Sequence, residues 1–359
     1  MEGSVITASG LSVGYGKRVV VEGLDIDVCP GEILTIIGPN GAGKTTILKS
    51  ISAQLPAISG SMTVNSRDIS RMSLNDIART MAVCFTGKTA PDRMTCEDMV
   101  SAGRYPYTGR LGLLSSDDRR IVSEAMELTG ITALRDTDIS CISDGQRQTV
   151  MLARAIAQQP KVLILDEPTS FLDINNKLRL LSLLRELVKT RDIAVVQTLH
   201  ELDLAQRFSD KILCIKDNKP DRLGIPEEIF SGDYISRLYG ITHGTFQPLF
   251  GVAEAQKVSG QPQVFVIGGG GSGITTYRRL QRQGIPFAAG VLHENDIEYP
   301  VAKSLAAELI TEKAFEPISD ESLARAMAIM KKCSKLICCI ETFGAMNIGN
   351  KKLIEESLR

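Results

Sequence analysis

Apolar and polar positions alternate along residues 4–28, most plainly in Leu24-Asp25-Ile26-Asp27-Val28, and the alternation ends at Pro30-Gly31. A period of two predicts strands joined as a hairpin. The apolar run Ile33-Leu34-Thr35-Ile36-Ile37 follows, then a helix over residues 46–53, closed by Leu55-Pro56 and Ser59-Gly60 ahead of a strand near residues 61–64. Met81-Ala82-Val83-Cys84-Phe85 reads as a further strand. From about residue 89 to Gly130 the pattern becomes helical. Thr95 with Asp98, and Ser115-Ser116 with Asp117-Asp118, form helix starts whose oxygens cap backbone N–H groups and whose acids suit the dipole. Ile121, Val122, Ala125, Met126 and Leu128 give the second of these helices one apolar face. Ser143 and Gln146, at capping-box spacing, open another helix carrying Val150, Met151, Ala155 and Ile156 before Pro160 stops it. Val162-Leu163-Ile164-Leu165 is apolar throughout, as strands inside a parallel sheet are, and residues 193–198 form the next strand.

Past a polar stretch at residues 253–262, which suits a linker, a different pattern begins. Val264-Phe265-Val266-Ile267 is a strand, Gly268-Gly269-Gly270-Gly271-Ser272-Gly273 opens a helix ending at Gly284, and residues 285–292 are the next strand. Two helices are expected after it, the first with Val301, Leu305 and Leu309 on one face and the second capped by Ser319. Residues 335–340 read as a strand, followed by a loop containing Asn347 and Asn350. The predicted organisation is therefore an α/β domain over residues 1–252 with a helical insert at about 89–150, a linker at 253–262, and a small Rossmann-like α/β domain over 263–359.

Composition narrows the class. A chain of 359 residues, 43% apolar, has the balance of a globular protein of two or three domains. Forty-one Lys and Arg against 42 Asp and Glu leave a net charge of −1, so no global field draws nucleic acid or acidic lipid. The eight cysteines include no C-x-x-C pair, which fits neither a zinc framework nor a disulfide scaffold and points to a reducing compartment. No apolar run approaches the ~20 residues that span a bilayer, and the N-terminus lacks the form of a signal peptide.

Chemistry concentrates at Gly38-Pro39-Asn40-Gly41-Ala42-Gly43-Lys44-Thr45, between an apolar strand and a helix that begins near Thr46. Glycines let such a loop wrap an anion so that N–H groups and the helix N-terminus face the phosphates of a nucleotide. Lys44 is expected to reach the β- and γ-phosphates, and Thr45 to hold Mg2+. Tyr15, between Gly14 and Gly16, is placed to stack on a base or to pack at a turn. Ser143 opens a second helix N-terminus able to face phosphate, although Asp144 adds a repelling carboxylate. Asp166 and Glu167 end a buried strand, where ligands of open α/β sheets sit. Asp166 is expected in the Mg2+ shell and Glu167 to polarise the attacking water. His200, just past a strand, is expected near the γ-phosphate.

The order of Tyr15, the phosphate loop, Ile142-Ser143-Asp144-Gly145-Gln146, Leu163-Ile164-Leu165-Asp166-Glu167-Pro168-Thr169-Ser170, Phe171-Leu172-Asp173 and His200 resembles the ATP-binding subunit of ABC transporters over roughly residues 4–250. The resemblance implies a homodimer that clamps two ATP molecules head to tail, each phosphate loop facing Ser143, Asp144, Gly145 and Gln146 of the other copy. It places Asp173 in the segment crossing between the two sites. Two positions depart from the family pattern. Thr86 stands where a glutamine normally touches Mg2+ and relays nucleotide state, and Asp144 where glycine is usual. Ala102-Gly103-Arg104-Tyr105-Pro106-Tyr107-Thr108-Gly109 resembles the corresponding segment of importers for iron–siderophore, haem and cobalamin. The implied partners are an integral membrane permease and, through it, a substrate-binding protein, with no nucleic acid, at the cytoplasmic face of the cell membrane. A soluble ABC-type ATPase of DNA repair or translation is the alternative, but the long coiled-coil insertion or second cassette usual there is lacking.

In the C-terminal domain Gly268, Gly270 and Gly273 satisfy G-x-G-x-x-G, with Glu294 at the distance expected of a ribose ligand. A four-glycine run satisfies many patterns. The domain is read either as a nucleotide- or ligand-sensing regulator of the cassette or as one that packs or dimerises, and no catalytic acid, base or metal cluster marks it as a dehydrogenase.

Overall fold

The computed structural model describes residues 3–85, 93–109 and 111–358. Thr86 and the start of the expected helical insert lie outside them. The alternating segment forms the antiparallel strands β1 (Ile6–Tyr15) and β2 (Arg18–Val28), in register from Ile6 opposite Val28. Leu24, Ile26 and Val28 are buried while Asp25 is exposed, so the period of two marks one covered face. With β4 (Ser59–Val64) and β5 (Arg67–Asp68) they make a four-stranded antiparallel sheet in the order β2-β1-β4-β5.

The second sheet holds β3 (Ile33–Ile37), β6 (Met81–Cys84), β7 (Val162–Leu165), β8 (Ala194–Thr198), β9 (Lys211–Lys216) and β10 (Lys219–Gly224), in the order β10-β9-β3-β8-β7-β6. All neighbours are parallel except β9 and β10. Every residue of β3, β7 and β8 is buried, which is why these strands are almost wholly apolar. Leu24 and Ile26 share a core with Leu34, Ile36, Ile47, Val162 and Val196, so the antiparallel sheet, the helix Lys44–Ile51 and the parallel sheet close on one another. Each fully buried aliphatic side chain there contributes about 1.5–3 kcal/mol. Parallel β3, β7 and β8 send their carboxyl ends, and with them Gly38, Asp166 and His200, to one edge. The helices Cys96–Ser101, Ser116–Thr129 and Asp144–Ala157 form the insert region, each opened by a capping box, at Thr95, Ser115 and Ser143.

The chain divides into two units after Tyr239, thirteen residues before the boundary read from the sequence. In the second unit β11 (Gly244–Gln247) pairs antiparallel with β12 (Val252–Ala255), so residues 253–255 are strand rather than linker. Arg278 ties β12 to the helix Ile274–Arg282 through the buried Glu254 carboxylate, at 3.1 Å. β13 (Val264–Ile267), β14 (Phe287–His293), β15 (Glu308–Glu312) and β16 (Lys335–Cys338) form a parallel sheet in the order β15-β14-β13-β16. Val264 and Val266 pack with Tyr277, Val301 and Leu305, while Phe265 and Ile267 pack with Leu323, Ala326 and Leu353. Helices thus cover both faces in the Rossmann-like manner expected.

Two expectations fail in this unit. Leu309 lies in β15, not on the helix with Val301 and Leu305, because that helix ends at Leu305 and Ala306 is extended (φ −73°, ψ 138°). Asn350 lies in the helix Gly349–Ser357, not in a loop, and its buried amide bonds both the N–H and the carbonyl of Val291, at 2.9 and 3.0 Å. Among the described residues no helix is long and apolar enough to cross a membrane.

Candidate active site

The phosphate loop leaves β3 at Gly38 and enters the helix Lys44–Ile51 through Gly43. Gly43 has a φ of +95°, and a Cβ there would come within 2.5 Å of the Val21 side chain, so the turn admits only glycine. No side chain caps this helix and its first turn holds no acid, which leaves its N–H groups to face an anion. Lys44 is buried and donates to the carbonyl oxygens of Gly38 and Pro39 at 2.7 and 3.0 Å. Burial lowers its pKa, against the opposing pull of the Glu167 and Asp166 carboxylates.

Asp166 and Glu167 emerge beside this loop at the end of β7. The Asp166 carboxylate accepts from Thr45 Oγ1 at 2.9 Å on one oxygen and from Thr198 Oγ1 at 2.7 Å on the other. His200 Nε2 lies 2.5 Å from Glu167 Oε1, and Ser170 donates to Oε2 at 3.2 Å. Glu201, next to His200, accepts from Thr169 and Lys177 at 2.9 and 2.6 Å. Burial pushes its carboxyl up, but these bonds outweigh it and hold the pKa below the ordinary value.

A cleft of about 740 Å3 gathers Tyr15, Asn40, Gly41, Gly43, Lys44, Thr45, Thr46, Glu167 and His200, with Ala42 in the intervening loop. Tyr15 is half exposed at its side. Arg18 and Val20 line it too, and the sequence reading missed both; Arg18, a cation opening β2 opposite Tyr15 after the Gly16-Lys17 turn, was the available signal. Thr198 and Gln148 had no role in the sequence reading, since each reaches the Asp166-Glu167 segment from another element, and Ser170, three residues past Glu167, was quoted only as part of its motif. The Thr45 hydroxyl and Asp166 carboxylate are hard oxygen donors side by side, which fits the two protein ligands that Mg2+ takes when phosphates and waters complete its shell.

Ser143, Asp144, Gly145 and Gln146 do not line this cleft. Ser143 Oγ accepts from the Gln146 N–H at 3.2 Å, leaving its own proton to donate outward, and Asp144 is paired with Arg147 at 2.9 Å. Arg147 thereby offsets the charge that makes Asp144 awkward near phosphate. Asp173 caps the helix Ile174–Arg191, accepting from the Asn176 N–H at 2.8 Å, with Phe171 and Ile174 exposed beside it. In residues 102–109, Arg104 is buried against Asp118 at 2.8 Å and under the Tyr107 ring, while Tyr105 is exposed.

The glycine loop of the second unit is arranged otherwise. Gly270 N–H donates to Asp296 Oδ2 at 2.8 Å and Gly273 N–H to Glu298 Oε2 at 2.7 Å, while the Tyr277 hydroxyl donates to Glu298 Oε1 at 2.9 Å. Glu298 is fully buried, and a Cβ on Gly268 would lie 2.0 Å from its carboxylate. Burial raises the Glu298 pKa, against the two hydrogen bonds. Glu294, the expected ribose ligand, is exposed past β14.

Residues 21–170 match the family described as ABC transporter, and residues 287–359 match the MJ0874 family. The chain is 40% identical over 289 residues, 80% of its length, to the whole of an uncharacterized ABC transporter ATP-binding protein, MJ0873, of Methanocaldococcus jannaschii. It is 38% identical to the iron(3+)-hydroxamate import ATP-binding protein FhuC of Bacillus subtilis, over 66% of this chain and 88% of that one. It is 30% identical to the cobalamin import ATP-binding protein BtuD of Halobacterium salinarum, over 89% of this chain and 82% of that one. Likeness along nearly the full length of such relatives, with the phosphate loop and both acids inside the matched family segment, means that the chain belongs to the ATP-hydrolysing ATP-binding proteins of ABC transporters.

Proposed function

We propose that this chain is the ATP-hydrolysing subunit of an importer for a metal chelate of the siderophore, haem or cobalamin kind. It acts as a homodimer on the cytoplasmic face of the membrane, driving a separate permease that a substrate-binding protein serves, and takes no nucleic acid. The names of the FhuC and BtuD relatives support the substrate class. The observation that carries the reading is the cleft itself: the phosphate loop, Glu167 and His200 line it in one chain, with Asp166 bonded to Thr45 of that loop, whereas Ser143 stands outside it.

On this reading the loop N–H groups and Lys44 receive the phosphates and Tyr15 stacks on the base. Thr45 and Asp166 hold Mg2+, which when bound neutralises phosphate charge. Glu167 takes the proton of the attacking water, and His200 fixes its carboxylate at the γ-phosphate side. Ser143, Gly145 and Gln146 of the second copy close the site, and Asp173 joins the two sites. Residues 1–252 supply this machinery.

Purification of the tagged chain from detergent-solubilised native membranes, with mass spectrometry of its companions, tests the proposal. A multi-spanning permease is expected, and its binding protein identifies the chelate. Recovery of ribosomes or DNA-associated proteins alone overturns the importer reading.

A further inference from the structure

We propose that Thr198 is a positioning residue for ATP hydrolysis: its one hydroxyl fixes both the rotation of the Asp166 carboxylate and the backbone turn that aims Glu167. This rests on the roles given above to those two acids. β7 and β8 run parallel with Leu165 opposite Gln197, so the next residues stand side by side, Asp166 just past the end of β7 and Thr198 the last residue of β8. Thr198 is fully buried. Its hydroxyl donates to Asp166 Oδ1 at 2.7 Å and accepts from the Glu167 N–H at 2.9 Å, both of which one hydroxyl can do at once.

Each bond limits a different freedom. Thr45 already donates to Asp166 Oδ2, so with Thr198 on Oδ1 the carboxylate is pinned at both oxygens and keeps Oδ2 toward the phosphate loop. Glu167 has a φ of +50°, in the left-handed region that non-glycine residues keep only where their surroundings hold them. Thr198 holds the N–H side of that residue and Gln148 Nε2 the carbonyl, at 3.2 Å. His200, two residues after Thr198, grips the carboxylate of the same glutamate, so one strand exit sets both ends of Glu167. Thr198 does not line the cleft and therefore acts through the acids rather than on ATP. Valine would keep the branched shape that suits a buried strand and lose only the hydroxyl.

Steady-state ATPase kinetics of the full chain, at varied ATP and varied Mg2+, compare the native protein with Thr198→Val, Thr198→Ser and Glu167→Gln. Thr198→Val is expected to lower kcat roughly 10- to 100-fold, as loss of a residue that orients a metal ligand does. Its KM for ATP should move less than about threefold, its Mg2+ requirement should rise, and serine should restore most of the lost rate. If Thr198→Val keeps native kcat and Mg2+ dependence while Glu167→Gln is inactive, the proposal is overturned and the acid assignment survives. Native turnover in Glu167→Gln removes the assignment on which the proposal stands. Should the valine variant not fold, Thr198→Ala against Thr198→Ser carries the test: equal turnover refutes the proposal, and loss confined to alanine supports it.

Discussion

A glutamate held at a φ of +50° carries backbone strain of order 1–3 kcal/mol, which Glu167 sustains because its N–H, its carbonyl and both carboxylate oxygens are all engaged. Replacing it by glutamine preserves shape and most of these bonds but removes the base. Glu167→Gln is expected to lower turnover roughly 10²- to 10⁴-fold while ATP still binds, and to accumulate an ATP-dependent dimer, read by phosphate release and size-exclusion chromatography. Unchanged turnover would take Glu167 out of its role. Lys44, Thr45, Asp166 and Glu167 were legible in the sequence because each sits in a short motif whose spacing is itself the chemistry. Thr198 was not, since it meets the acids only once β7 and β8, distant in sequence, lie side by side, and Arg18 was passed over although it faces Tyr15 across the β1–β2 turn.

Two helices of this chain follow an apolar strand and a glycine-rich loop, and neither has a side-chain cap, but the loops before them differ. Lys44–Ile51 leaves its N–H groups uncapped, whereas the loop before Ile274–Arg282 is filled by Asp296 and Glu298. Equilibrium dialysis of the full chain is therefore expected to detect no NAD or NADP binding beyond what ATP displaces; saturable binding that ATP leaves intact would contradict this. Glu298→Ala leaves the Gly273 N–H and the Tyr277 hydroxyl buried without their partner, and should cost on the order of 2–4 kcal/mol in denaturant unfolding. The fingerprint spacing hid this outcome, because the filling carboxylates come from the segment after β14. Leu309 misled in a similar way: its spacing from Val301 and Leu305 is helical, but the chain turns extended between them. At the end of β15, Glu312 accepts from the Ser319 hydroxyl and N–H at 2.6 and 2.8 Å, which depress its pKa from 4.5 to about 2. A depressed carboxylate stabilises the fold fully above its unfolded pKa and ceases to do so as pH falls through the folded one. Native protein should thus exceed Glu312→Gln in stability by roughly 2–3 kcal/mol at pH 7, and the difference should vanish near pH 2, as urea melts across that range would show.

Each unit of the whole molecule has cores of its own, and the first ends on Tyr239, whose hydroxyl accepts from the Gly38 N–H at 3.1 Å at the mouth of the phosphate loop. A chain cut after Tyr239 is expected to keep ATP binding and a cooperative melt. One cut after Asp233 loses the helix Tyr234–Tyr239, with buried Tyr234, Ile235 and Leu238, and should lose both. Equal behaviour of the two would deny that helix its part in the fold. The sequence reading placed the first domain at residues 1–252 and a linker at 253–262, whereas compactness divides the chain after Tyr239, so that the β11–β12 hairpin, of which only residues 253–255 fall in that linker, goes with the second unit. The carboxylate-filled loop also bears on how the two units respond to their surroundings. By mass action a ligand stabilises only the form that binds it, by RT ln(1 + [L]/Kd). The folded population of the cassette is therefore expected to rise with ATP, and that of the second unit, whose loop N–H groups are taken by carboxylates of its own chain, to stay the same in NAD or NADP, as thermal melts with and without each would show.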